Sequence, residues 1–207
     1  MAAVKRAYRS PRRREQAQAT RGRILASARR LFLANGYGGT TIESIARQAG
    51  VAVQTVYASL GSKRGILFAL LDQMAIDADL PLMQAELAAA AGDPPRQLRE
   101  RIAFNTRFYA AGAGLIDIAR TVSGVEEDLQ AMWREGESRR HRAARALVDE
   151  WKRAGALAPG LSVNGATDIL WGLSGPDMFR LLVIERRWSI ERFEAWLYGT
   201  LAPALLG

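Results

Sequence analysis

A segment near residue 55 gathers side chains that can form hydrogen bonds with base edges and phosphates. Val56 and Leu60 lie four residues apart, so they point to the same, inward side of a helix. Val53 fits either side, because it can pack below Val56 or contact a thymine methyl group. This pattern favours a helix that approaches nucleic acid closely. Its outward positions hold short or planar side chains: Gln54, Thr55, Tyr57, Ala58 and Ser59.

The neighbouring elements have the plan of a helix-turn-helix. Residues 42–49 show one apolar face, and Thr40 and Glu43 have the spacing of a capping box at the start of that helix. Gly50 ends the helix, and a second short helix follows from Val51. In this plan the first helix lies across the DNA backbone and the second enters the major groove.

The rest of the chain also has helical periodicity. A longer helix precedes the pair and stops at Asn35-Gly36, and Ser62 can cap a fourth helix. Beyond Pro81 further helices follow with brief breaks, and no segment alternates with period 2 between turn signals. We therefore predict an all-α protein, with an N-terminal three-helix DNA-binding domain and a larger helical domain.

Basic residues are concentrated at the N-terminal end. The 207-residue chain has a formal net charge of +8, and residues 1–64 hold thirteen Lys or Arg against Glu15 and Glu43. The expected partner is a polyanion, either nucleic acid or an anionic membrane surface. Arginine outnumbers lysine, which suits phosphates and guanine edges but also follows from a GC-biased genome. Residues 1–15 are predicted to be a disordered basic arm, because like charges and Pro11 oppose a helix there.

The composition excludes several kinds of catalytic and metal site. With no cysteine and one histidine, the chain cannot form a disulfide scaffold, a zinc finger or a metal site with two imidazoles. That histidine, His141, lies among arginines and has no acidic residue beside it in sequence to orient it. No apolar run is long enough for a membrane span, and the N-terminus does not have the pattern of a signal peptide. We expect a cytoplasmic protein that is not an enzyme and has no cofactor.

The segment from Gly36 to Leu67 closely resembles the DNA-binding domain of TetR-family transcriptional regulators. The likeness covers about residues 20–72, and the later helices resemble the regulatory domain of that family in number and order only. Two positions depart from the pattern: Ala52 stands where a capping serine is usual, and Ser59-Leu60 replaces a His-Phe pair. The likeness rests on Gly36-Tyr37, Thr40-Thr41-Ile42, Ile45-Ala46, Ala49-Gly50-Val51, Thr55-Val56-Tyr57, Lys63 and Leu67.

This resemblance implies a set of DNA contacts. Thr41, Tyr57 and Lys63 would contact phosphates, and Gln54 would read an adenine edge through its amide. The simpler alternatives are a core tyrosine with an exposed hydroxyl at Tyr57 and a solvated lysine at Lys63. A cation at a helix start opposes the helix dipole, so a phosphate partner would explain Lys63. The implied contact residues are Thr41, Val53, Gln54, Thr55, Tyr57, Ser59 and Lys63.

One recognition helix reads only a few base pairs, so two must act together. The last predicted helix has a wide apolar band, which is either intramolecular core or a contact between two copies. The resemblance places a homodimer contact on the last two helices, 163–186 and 189–206, and implies a pseudo-palindromic DNA site. The band consists of Phe193, Trp196, Leu197, Thr200, Leu201, Ala204 and Leu205.

The middle helices are rich in aromatic and methionine side chains. Such side chains are core more often than ligand-lining. TetR-family members commonly carry a small-molecule pocket in this region, however, and Asn105, Arg107 or Asp117 could orient a ligand there. The helix from Ser62 to Leu80 would then transmit ligand binding to the DNA-binding domain. The candidate lining residues are Phe104, Phe108, Met132, Trp133 and Trp171.

These observations predict three regions: a basic arm at 1–15, a helix-turn-helix domain at 16–62, and a regulatory and dimerisation domain at 63–207. The predicted function is that of a TetR-like regulator, by family default a repressor. Its partners would be double-stranded DNA, a second copy and a small-molecule effector, and not a membrane. The alternative is a helical adaptor or membrane-surface protein with a basic arm.

Overall fold

The computed structural model of the protein describes residues 11–124 and 127–207. These ranges consist of helices joined by turns, and their one β-type pairing is an isolated bridge between Leu157 and Leu206. The all-α prediction is confirmed. None of the described helices is long and apolar enough to cross a bilayer. The helices are α1 (Pro11–Asn35), α2 (Ile42–Ala49), α3 (Val53–Leu60), α4 (Lys63–Asp77), α5 (Leu80–Ala89), α6 (Pro94–Ser123), α7 (Glu127–Arg153), α8 (Val163–Leu173), α9 (Pro176–Phe179) and α10 (Ile190–Leu205), with a π-helical segment at Arg180–Glu185.

Two compact units meet inside α4, between Leu70 and Leu71. The sequence predicted the division before α4, at residue 62. The difference arises because the first half of α4 supplies Ile66 and Leu67, both fully buried, to the core of the N-terminal unit. The loop before α4 is a boundary between helices and not between units.

Helix α1 begins earlier than the sequence predicted. Residues 1–10 of the predicted basic arm lie outside the described part of the chain. Pro11 to Glu15 form the first turn of α1, so the prediction of a disordered arm is wrong over those residues. Proline suits the first turn of a helix because its φ angle is preset and its missing N–H would have had no partner there.

The start of α2 differs by one residue from the predicted capping box. Thr41, not Thr40, is the N-cap: its Oγ1 accepts a hydrogen bond from the Ser44 amide at 3.1 Å, and Ser44 Oγ accepts one from the Thr41 amide at 3.2 Å. Thr40 is buried, and its hydroxyl donates to the Gly36 carbonyl at 2.9 Å. Gly50 ends α2 with a φ of 66°, a left-handed conformation that favours glycine.

In the C-terminal unit, α6 bends at Gly112, whose φ and ψ of −136° and 16° are not helical. A Cβ atom at this position would lie 1.9 Å from the Cε atom of Met74 in α4. Met74 is itself buried. Gly112 is therefore a kink within one helix, and glycine permits the close approach of α4 and α6.

The apolar band of α10 is mostly intramolecular core. Phe193, Leu197, Leu201 and Leu205 are buried within the C-terminal unit, where α10 packs on α6 and α8. Ala204 is exposed. The width of the band therefore does not support a dimer, and a contact between two copies has to use the other face of α10.

Candidate nucleic-acid interface and ligand cavity

Helix α3 presents its polar side chains to solvent. Val56 is buried and anchors the helix, whereas the Tyr57 side chain is 50% exposed, which excludes a core tyrosine. Gln54 is also exposed, and the remaining predicted contacts on this helix, Val53, Thr55 and Ser59, are half-buried. The structure thus brings five predicted contact residues onto two turns of one helix. As the sequence predicted, Ala52 forms no side-chain cap.

Hydrogen bonds from other elements fix both ends of α3. At its N-terminal end, the Val51 amide donates to the Ala46 carbonyl at 3.0 Å and closes the turn after α2. At its C-terminal end, Arg21 of α1 donates from Nη1 to the Ser59 carbonyl at 3.0 Å. A cation at a helix C-terminus also complements the helix dipole. The exposed face of α3 is therefore held on a rigid support.

The start of α2 offers a second contact point. Thr41 is exposed, and its hydroxyl accepts from the Ser44 amide. The N-terminus of a helix carries partial positive charge and unpaired amides, which favour phosphate oxygens. Around these helices the described cations far outnumber Glu15 and Glu43. The exposed cations are Arg12, Arg13, Arg14, Arg21, Arg23, Arg30 and Arg47.

Lys63 has contacts that the sequence did not predict. Its Nζ donates to the carbonyls of Tyr37 at 2.8 Å and Thr40 at 3.1 Å, and lies 4.2 Å from the centroid of the Tyr37 ring. Tyr37 in turn stacks on Phe32, with ring centroids 5.5 Å apart. The ammonium group is thus directed at the turn between α1 and α2. This geometry supports a structural role for Lys63 in place of the implied phosphate contact.

We expect Lys63→Met to lower the free energy of unfolding by about 1–2 kcal/mol, because two backbone carbonyls lose a charged donor. Chemical denaturation monitored by circular dichroism measures this loss. Arg47→Met is the matched control, since Arg47 is an exposed cation of the same unit with no hydrogen bond or ion pair to a described residue. If Lys63→Met weakened DNA binding but left the unfolding midpoint unchanged, the phosphate contact would be correct.

The C-terminal unit contains a cavity of about 460 Å³. It is lined by the second half of α4 together with α5, α6 and α7. Four of the five predicted ligand-lining residues do line it: Phe104, Phe108, Met132 and Trp133. A volume of this size is ordinary for a small-molecule site with apolar and aromatic walls.

Trp171 does not line this cavity. Its ring lies 4.9 Å from the guanidinium carbon of Arg140 and 5.7 Å from the His141 ring, and its carbonyl accepts a hydrogen bond from Arg140 Nη1. A tryptophan on α8 packs here against α7, a tertiary contact that aromatic composition alone does not reveal.

The polar residues near the cavity divide into two groups. Asn105 and Tyr109 line it, and both donate to the Ser174 carbonyl, at 3.3 Å and 3.2 Å. Burial raises the pKa of Tyr109 to about 12, so its hydroxyl stays protonated. Arg107 and Asp117, which the sequence also suggested, do not line the cavity: Arg107 is exposed near Glu86, and Asp117 lies 3.7 Å from Arg120.

Sequence reasoning missed Arg101, which is only 7% exposed and lines the cavity. A signal was present, because Arg101 lies four and eight residues before Asn105 and Tyr109 and so shares their face of α6. Glu137 and Arg140 of α7 form a 2.7 Å ion pair, and both line the cavity.

His141 has an acidic neighbour in space, although it has none beside it in sequence. Its Nε2 atom lies 3.4 Å from Asp168 Oδ1. Both side chains are open to solvent, and the second ring nitrogen forms no hydrogen bond with a described residue. The pair therefore lacks the nucleophile that a catalytic triad requires.

A helix-turn-helix with an exposed polar face, joined to a helical unit with a ligand-sized cavity, defines a class of DNA-binding regulators with a separate small-molecule domain. Residues 24–70 match the sequence profile of the bacterial regulatory proteins of the tetR family. Over that segment the chain is similar to the tetR family. This agrees with the resemblance found in the sequence.

Particular relatives extend the similarity. The chain is 31% identical over 109 residues to the HTH-type transcriptional repressor NicS of Pseudomonas putida, a match that spans 53% of this chain and half the length of NicS. The fold is similar to that of FadR from Bacillus subtilis in complex with stearoyl-CoA, with a TM-score of 0.71 and 20% identity over 88% of this chain and 98% of that one. It is also similar to a Saccharomonospora viridis protein in complex with choline, with a TM-score of 0.71 and 18% identity over 92% and 99% of the two chains.

Proposed function

We propose that the protein is a transcriptional repressor that binds a pseudo-palindromic operator as a homodimer and leaves it when a small molecule occupies the cavity. The observation that carries this proposal is the exposed polar face of α3, with Tyr57 half-exposed and both ends of the helix fixed. A rigid helix with such a face can enter a major groove without a further loss of conformational entropy. The similarity to NicS supports repression as the outcome of binding.

In the proposed complex, Thr41 and Tyr57 contact phosphates and fix the register of the protein on the duplex. Gln54 reads an adenine edge, because its amide presents a donor and an acceptor together. Val53, Thr55 and Ser59 lie near bases or sugars beside it. Bacterial DNA lies in the cytoplasm, and we place the protein there.

The homodimer would form through the outer faces of α8 and α10. With its apolar band turned into the core, α10 keeps Ile190, Ala195 and Gly199 exposed, and α8 exposes Asp168 and Gly172. Two copies related by a two-fold axis would present two α3 helices to half-sites about one helical turn or somewhat more apart.

Helix α4 supports the proposed response to a ligand. Its second half lines the cavity at Leu71, Asp72 and Ala75, and its first half belongs to the DNA-binding unit. A ligand that binds one position of α4 more tightly than another therefore shifts the population of DNA-competent dimers. A 100-fold release from DNA requires about 2.7 kcal/mol of differential binding.

Selection of bound fragments from the source genome tests this function. We expect an operator with inverted half-sites, bound at least about 1,000-fold more tightly than random duplex, with affinity that falls steeply as salt rises. Sedimentation should give twice the chain mass. Equal affinity for selected and random DNA at every salt concentration would contradict the proposal, and tight binding to anionic lipid vesicles in that case would favour the membrane-surface alternative.

A further inference from the structure

The walls of the cavity fit an apolar molecule. Helix α6 contributes Phe104 and Phe108, whose ring centroids lie 6.1 Å apart, and α7 contributes Met132 and Trp133. Aromatic and thioether side chains adapt well to hydrocarbon or ring surfaces. The body of a ligand that fills this space is therefore aliphatic or aromatic.

One charged group lies among these walls without a partner. Arg101 is 93% buried, lines the cavity, and forms no hydrogen bond or ion pair with any described residue. Burial lowers the pKa of Arg101 from its ordinary value; the interaction with Tyr109 raises this pKa in part, and nearby Arg140 lowers it. A guanidinium nevertheless remains protonated in proteins. The cavity thus holds a positive charge that no carboxylate among the described residues pairs.

The carboxylates around the cavity do not neutralise Arg101. Glu137 is committed to Arg140 at 2.7 Å, and the Asp72 side chain is exposed to solvent. Arg140 leaves its own Nε atom buried without an acceptor, so a second donor beside the cavity also lacks a partner. Buried charges in proteins are normally paired, and an isolated one is costly. A ligand that supplies the missing anion would remove this cost.

We propose that the cavity binds a carboxylic acid with an apolar body, and that the guanidinium of Arg101 holds its carboxylate. This rests on the proposed function, since it names the class of effector for the same cavity. The planar guanidinium can donate two parallel hydrogen bonds to one carboxylate, and these bonds are strong in an interior shielded from water. Phe104 and Phe108, one turn apart on the same helix, contact the hydrocarbon part.

The same charge disfavours other ligand classes. A quaternary ammonium such as choline would meet an unpaired positive charge in place of a carboxylate. A neutral amide or alcohol of the same shape would leave Arg101 without a counter-ion and so gains less from binding. Discrimination between an acid and its amide is therefore the property to measure.

Calorimetric titration with 1-naphthoate and octanoate, each compared with its primary amide, tests the proposal. We expect the acids to bind about 10- to 100-fold more tightly than the amides, and choline not to bind. Arg101→Met should remove this preference by lowering the affinity for the acids, and should leave the affinity for the amides within about threefold. Arg134→Met is the matched control, because Arg134 is an exposed cation of α7 that does not line the cavity.

A second readout needs no ligand. Because Arg101 is an unpaired buried charge, Arg101→Met should raise the urea midpoint of the ligand-free protein, whereas a structural arginine would lower it when replaced. At a concentration that saturates the wild-type protein, 1-naphthoate should raise the wild-type midpoint more than that of Arg101→Met. Three results would overturn the proposal. They are equal affinity for an acid and its amide, no binding of 1-naphthoate or octanoate, and a lowered urea midpoint of Arg101→Met with unchanged affinity for the acids.

These experiments contain no DNA, so their failure is distinct from failure of the proposed function. If acids bind in a way that depends on Arg101 but no operator can be selected, the repressor function is refuted and the carboxylic-acid ligand class stands. If an operator can be selected but the protein does not prefer acids to amides, the repressor function stands and the carboxylic-acid ligand class is refuted.

Discussion

Replacing Tyr57 by alanine is expected to weaken operator binding by about 100-fold while changing the free energy of unfolding by less than about 1 kcal/mol. In the proposed complex each Tyr57 donates its hydroxyl to a phosphate, and a hydrogen bond of this kind contributes about 1–1.5 kcal/mol. A homodimer loses two, which corresponds to about 2–3 kcal/mol, or about 100-fold in affinity. The side chain is half-exposed, so its removal leaves no cavity in the core. Fluorescence anisotropy with the selected operator measures the affinity.

Tyr57→Phe separates the hydroxyl from the ring. If the phosphate bond carries the effect, the phenylalanine variant loses nearly as much affinity as the alanine variant. Ile76→Ala is the matched control for loss of an exposed apolar surface, because Ile76 is 66% exposed and has no assigned DNA contact. Wild-type affinity in a folded Tyr57→Ala protein would remove Tyr57 from the interface.

The helix-turn-helix was predictable because its signals are local. The spacing of Val56 and Leu60, the glycine at residue 50 and the polar outward positions all lie within a few residues of one another. The capping box was misplaced by one residue because Thr40 and Thr41 can both cap a helix. Only the three-dimensional turn shows that the Thr40 hydroxyl is already bonded to Gly36.

The roles that sequence could not supply depend on residues far apart in the chain. Lys63 bonds carbonyls 26 and 23 residues earlier, and no local pattern specifies such a contact. Trp171 lies against α7 for the same reason. Arg101 is a different case, because the sequence already shows that it shares a helix face with Asn105 and Tyr109. That it lacks an acidic partner, however, is known only once the three-dimensional positions of the neighbouring described carboxylates are known.

The second large expected effect is a loss of stability when Trp151, in the core between α6 and α7, is replaced. Trp151 of α7 is fully buried, and its Nε1 donates to Gln97 Oε1 of α6 at 2.8 Å. Gln97 is also buried, and its Nε2 donates to Glu150 Oε1 at 2.7 Å. This chain of hydrogen bonds joins the two long helices that form much of the cavity wall. Trp151→Ala should lower the free energy of unfolding by about 3–5 kcal/mol, through lost apolar burial and the void left behind.

A double-mutant cycle separates the hydrogen bond from the packing. Trp151→Phe keeps an aromatic ring but leaves Gln97 Oε1 without its donor, and Gln97→Leu leaves the indole N–H without its acceptor. The double variant buries neither orphaned group, so its loss of stability should be smaller than the sum of the single losses by about 1–2 kcal/mol. Urea denaturation of the four proteins measures this coupling. Strict additivity would show that the bond contributes nothing, and a loss below about 1 kcal/mol in Trp151→Ala would show that the α6–α7 core tolerates a void at its most buried tryptophan.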